Sequence, residues 1–138
     1  MTETAGRAPV IVEASLDNLR SDDVRFLEEA VAFGSLRVRV PSDELVKRLT
    51  GAAPVFPAAE RLFLAESLRW VEHAEVADQA LAQAPDALDA IAVGGATVAV
   101  REEEQSAAFR SAATATGVPY RVITRAARAG FPVPDPAP

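Results

Sequence analysis

The chain has 138 residues, enough for one domain built on a parallel sheet with helices on both faces and too few for two independent cores. An apolar share of 49% beside 25% charged residues is the balance of a folded globular protein, which argues against wholesale disorder. A net charge of −6 without a segregated basic run argues against nucleic acid or an anionic membrane as the main partner. The absence of cysteine removes disulfides and thiolate chemistry, and a single histidine, His73, removes any multi-histidine metal centre.

The first eight residues read as a flexible N-terminus. Val10-Ile11-Val12 is then a short β-branched run suited to a buried strand. A polar loop over Ser15–Asp23 leads into a helix that Ser21 can cap, with Asp22 and Asp23 at its positive end and apolar residues at helical spacing until Gly34. Leu36 to Val40 alternates with period two and reads as a half-exposed strand carrying Arg37 and Arg39. A short helix over Ser42–Leu49 closes at Gly51, and Pro57 opens a longer one. His73–Val76 reads as a short strand and Asp78–Ala84 as helical. Ala90-Ile91-Ala92-Val93 reads as a strand ending at Gly94-Gly95, where the chain could approach a ligand closely. Arg101–Thr116 reads as a helix, Tyr120–Ile123 as the last strand, and residues 131–138 as a proline-rich tail. One α/β domain over residues 9–130 follows: a Rossmann-like, doubly wound parallel sheet of about five strands. Its ligand crevice lies at the carboxyl ends of the strands, lined by the loop after the first.

Ser15-Leu16-Asp17-Asn18-Leu19-Arg20-Ser21-Asp22-Asp23 resembles the G-T-F-D-L-L-H-x-G-H loop of the cytidylyltransferase-like nucleotidyltransferases. Pro41 to Gly51 resembles that family's S-D-x-x-x-K-R-L-K-G segment, Glu60-Arg61 its E-R helix, and Val93-Gly94-Gly95 its K-G-G-D element. The resemblance extends over about residues 9 to 130 and is strongest to the sugar-phosphate and glycerol-phosphate branches. It implies the fold just derived, a homodimer, and a cleft for a nucleotide. The residues that do the family's chemistry are missing at five points. Arg20 and Asp23 stand where the two histidines contact phosphates, Asp22 replaces the glycine between them, and Thr50 and Val93 replace lysines. Ala96 stands where an acid is expected, and the late R-T-x-G-I-S-T element survives at most as Thr124-Arg125.

Several residues carry bland readings as well. Asp17 suits capping of backbone amides, the acidic pair suits a helix dipole, Glu102-Glu103-Glu104 suits a helix start, and His73 suits the surface. Trp70 and Phe63 suit the core or a dimer surface. Candidate ligand-binding residues are Ser15, Arg20, Asp23, Arg39, Lys47, Arg61, Gly94, Gly95 and Arg125, with Asp22, Asp23 and Arg20 as the weak catalytic candidates and no metal ligands. The leading expectation is a diverged nucleotidyltransferase-fold protein that has lost nucleotidyl transfer and binds a small molecule or a partner protein, without a cofactor. An alternative is an enzyme of another class that uses the acidic and arginine-bearing crevice. A third is a cytidylyl- or adenylyltransferase for a sugar or polyol phosphate, which alone would need Mg²⁺ with CTP or ATP. The first twenty residues lack the order of a signal peptide, and no apolar run approaches the roughly 18 residues that span a bilayer, so a cytoplasmic protein is expected.

Overall fold

A computed structural model describes residues 7–132. Most of the expected flexible start and of the proline-rich tail lies outside those residues.

The apolar run at 10–12 forms the buried centre of β1 (Pro9–Glu13). The polar loop after it gives way to α1 (Ser21–Ala30), followed by a single 3₁₀ turn and Gly34. β2 (Ser35–Pro41) follows, with Leu36, Val38 and Val40 buried and Arg37 exposed, as the alternation requires. In α2 (Asp43–Thr50) the Ser42 hydroxyl accepts the Leu45 N–H at 3.1 Å, and Gly51 ends the helix at φ 83°, a left-handed conformation that glycine adopts without cost. α3 (Ala58–Ser67) leads to β3 (Val71–Ala77), and α4 (Pro85–Val93) to β4 (Thr97–Arg101). α5 (Ala107–Thr116), β5 (Tyr120–Ile123) and the short α6 (Arg125–Arg128) complete the described chain.

All five strands run parallel in the order β3-β2-β1-β4-β5. This is a Rossmann-like α/β sheet, and its order reverses between β1 and β4. Alternate residues of β1 serve opposite faces: Val10 and Val12 pack with Phe26, Leu27 and Ala65 from α1 and α3, and Ile11 packs with Leu88 and Phe109 from α4 and α5. The sheet is therefore covered on both sides. Trp70 is half-buried against the first of these clusters, whereas Phe63 is exposed on α3 and His73 on β3.

Four expectations need correction. Ser21 is the first residue of α1 and does not cap it; Arg20 holds the N-cap position. Ala90–Val93 is the last turn of α4, which Pro85 opens; the fourth strand lies beyond the glycines, at Thr97–Arg101. A four-residue apolar run has no periodicity that separates strand from helix, and length decides between them. The helical stretch expected at Asp78–Ala84 is only a 3₁₀ turn at Leu81–Gln83. Finally, Arg101 closes β4, the three glutamates after it form a 3₁₀ turn, and the helix begins at Ala107, capped by Ser106.

Candidate functional site

A cleft of about 460 Å³ opens at the carboxyl ends of β1, β2 and β4, where the strand order reverses. Its lining includes Glu13, Ser15, Asp17, Arg20, Asp23, Arg101 and Glu104, with Leu16, Pro41, Leu45 and Leu49 as an apolar wall. The loop from β1 turns at Leu16, a buried leucine at φ 57°, in a region that residues with a side chain seldom occupy.

Asp17 does not offer its carboxylate to the cleft. Both oxygens accept backbone N–H groups, from Val55 and Phe56 at 2.8 Å each, and these bonds hold its carboxyl below the usual carboxylate range. The aspartate thus ties the loop after α2 to the loop after β1. Arg61 does similar work from below. Fully buried, its guanidinium donates to the carbonyls of Phe56, Ser15 and Pro41 and to the Asp43 carboxylate, at 2.7 to 3.1 Å.

The start of α1 is where a helix in this position presents free N–H groups to an anion. Here Asp23 reaches back to accept the Arg20 N–H at 2.8 Å, and its other oxygen accepts from Arg101 at 2.6 Å. Asp22 accepts from Arg128 at 2.9 Å. Arg101 also meets Glu104 at 3.4 Å and stacks over Phe26, while buried Arg128 donates to both oxygens of Glu103, at 2.9 and 2.6 Å. Arg125 pairs with the same glutamate at 3.2 Å. Arg128 is the main reason the Glu103 carboxyl is lowered to about 2. Asp22 and Asp23, with Glu103 and Glu104 after β4, therefore neutralise three arginines at the end of the sheet. The site contains its own anions.

Of the other candidates, Ser15 and Arg20 stand at the cleft, and Arg20 makes no ion pair among the described residues. Arg39 donates to the Gln79 carbonyl at 2.9 Å and lies 3.8 Å from Glu13, and it is not among the cleft's lining residues. Lys47 is exposed on α2 and is not among the cleft's lining residues, which on that helix are Leu45 and Leu49. Gly94 and Gly95 follow α4 and precede β4, at the opposite end of the sheet. They do not line the cleft, because the strand expected before them is a helix.

Three residues of the site escaped the sequence reading: Glu13, Arg101 and Glu104. Glu13 closes β1, and a lone acid ending a buried parallel strand is a signal the sequence does contain. Leu81 donates its N–H to Glu13 at 2.8 Å, but burial outweighs that bond and the pull of Arg39 and pushes the Glu13 carboxyl up. Arg101 and Glu104 were hidden by the misplacement of β4.

No protein-family model and no curated protein matches the chain. Among solved structures, the lipopolysaccharide core biosynthesis protein of Thermoplasma volcanium has a similar fold, with a TM-score of 0.67 over 86% of this chain and 96% of that one. At 20% identity, the likeness is one of fold.

Proposed function

We propose that this chain is a nucleotidyltransferase-fold protein that no longer transfers nucleotides and uses the cleft at the switch point to bind a small molecule. The observation that carries the reading is the start of α1, where Asp22 and Asp23 bond to Arg128 and Arg101. A nucleotide's phosphates would have to displace these carboxylates or lie against them, in a cleft whose lining counts four acids against two arginines. Removing a single oxyanion donor costs an enzyme about 2.7–4 kcal/mol of barrier lowering, and this loop lacks several of the expected donors. The shared fold with a biosynthetic protein supports the frame of this reading and leaves its chemistry to the residues.

The test is release of pyrophosphate from CTP or ATP with Mg²⁺ and a panel of sugar and polyol phosphates. No turnover is expected from the native chain, nor from the Arg20→His, Asp23→His double variant, because Thr50 and Val93 still leave the phosphates without lysines. Turnover by either protein would refute the reading and restore the transferase alternative, with Arg20 and Lys47 as the first residues to mutate.

Glu13 supports a second reading, an enzyme of another class. A carboxyl pushed up by burial at the floor of a cleft is suited to general acid–base work. Consumption of a metabolite that Glu13→Gln abolishes without loss of binding would favour that reading. A homodimer, as the family resemblance implies, remains part of the proposal and is checked by sedimentation.

A further inference from the structure

A groove of about 350 Å³ lies between α4 and one face of β2, and it shares no lining residue with the cleft. Its charged residues are Arg37, Arg39 and Glu75, and Ile11, Ala90 and Ile91 are among its apolar ones. Gly94, which the cleft does not use, lines it as well. Strand register separates the roles of the two arginines, because residues in register on neighbouring strands share a face at a spacing of about 4.8 Å. Arg39 stands between Glu13 of β1 and Glu75 of β3, so that a carboxylate flanks it on each side, and it also donates to the Gln79 carbonyl at 2.9 Å. Arg37 stands between Ile11 and His73. It is exposed and makes no ion pair among the described residues. Ile11 belongs to the apolar cluster under α4 and α5, so an unpaired guanidinium and an apolar surface adjoin within one strand spacing. A cavity of this volume with apolar walls and a few polar anchors is the usual form of a metabolite site.

We infer that this groove is a second binding site, for a small organic monocarboxylate whose carboxylate takes Arg37 and whose apolar part lies over Ile11 and Ile91. This goes beyond the proposed function and does not depend on it. Two arginines against one glutamate leave the lining with one positive charge, which a single carboxylate neutralises. The planar guanidinium offers that carboxylate two parallel N–H groups. A phosphate monoester would bring a second negative charge beside Glu75, and an amine would meet Arg37 with its own sign.

The experiment is a titration of the whole isotope-labelled chain, followed through its amide NMR shifts, with hexanoate and phenylacetate, each beside the neutral amide of the same skeleton. At least one carboxylate should bind saturably, with shifts at Ile11, Arg37 and Ile91 and none at Asp17 or Arg20. It should bind at least about tenfold more tightly than its amide, since a hydrogen bond to a charged group is worth roughly that factor or more. Arg37→Gln should weaken it about tenfold, whereas Glu75→Gln, which removes the like charge from the lining, should not weaken it. Well-dispersed spectra confirm that each variant is folded. The inference is overturned if neither carboxylate binds, if the amide binds as tightly, if Arg37→Gln keeps the native affinity, or if the shifts fall on the cleft instead of the groove.

Discussion

Arg61 and Glu103 show how far the charged residues near the cleft serve architecture. Arg61 looks in sequence like an anion-binding arginine, since it falls in a segment similar to the E-R helix, but every one of its polar contacts is internal. Arg61→Ala should destabilise the chain by about 3 kcal/mol or more in urea unfolding, because three carbonyls and a carboxylate lose their donor and a cavity is left. Arg61→Lys should recover little of that, as one ammonium cannot reproduce the fork. Glu103 makes a pH prediction. Its carboxyl is lowered from 4.5 to about 2 in the folded chain, so the stability it contributes is complete above about pH 4.5 and fades as pH falls toward 2. The difference in melting temperature between the native chain and Glu103→Gln should be constant above pH 5 and shrink below pH 4.5. A difference that stays constant down to pH 2 would mean that the contact with Arg128 contributes nothing in solution.

Among the elements, β1, α1, β2, α2 and β5 are legible because each carries its own punctuation: β-branched residues at the start, an acidic first turn, strict alternation, a serine and a glycine as caps. The stretch from Ala90 to Arg101 is not legible in that way. Alanine and valine suit a buried helix turn as well as a strand, and Gly94-Gly95 can end either one. That single displacement placed two glycines at the wrong end of the sheet and hid Arg101 and Glu104. The ion-pair lattice was out of reach for a different reason: Asp22 and Arg128 lie 106 positions apart, and only the docking of α6 beside α1 brings them together. Gly34 has a consequence that its place in the sequence does not reveal. A Cβ there would lie 2.2 Å from the Ala8 carbonyl oxygen, where the starts of β1 and β2 meet. Gly34→Ala should therefore cost about 1–3 kcal/mol and raise amide exchange at the start of β2, measured by native-state hydrogen exchange. Unchanged protection at Ser35 and Leu36 would show that the strand start yields without strain.

At the scale of the whole molecule, a Rossmann-like frame and a site that supplies its own anions are held together by one sheet. The frame is given by strand order, the switch point between β1 and β4 and the loop after β1. The occupancy is given by five carboxylates, at 22, 23, 102, 103 and 104, four of which pair with Arg101, Arg125 or Arg128. Thermal melting of the full chain with CTP or ATP and Mg²⁺ tests whether the second feature cancels the first. A ligand at 100 times its dissociation constant adds about 2.7 kcal/mol and moves the midpoint of a domain this size by several degrees. We expect no shift with either nucleotide at millimolar concentration; a saturable rise of several degrees would show that the cleft accepts a nucleotide's phosphates despite its internal carboxylates and would contradict the proposed reading.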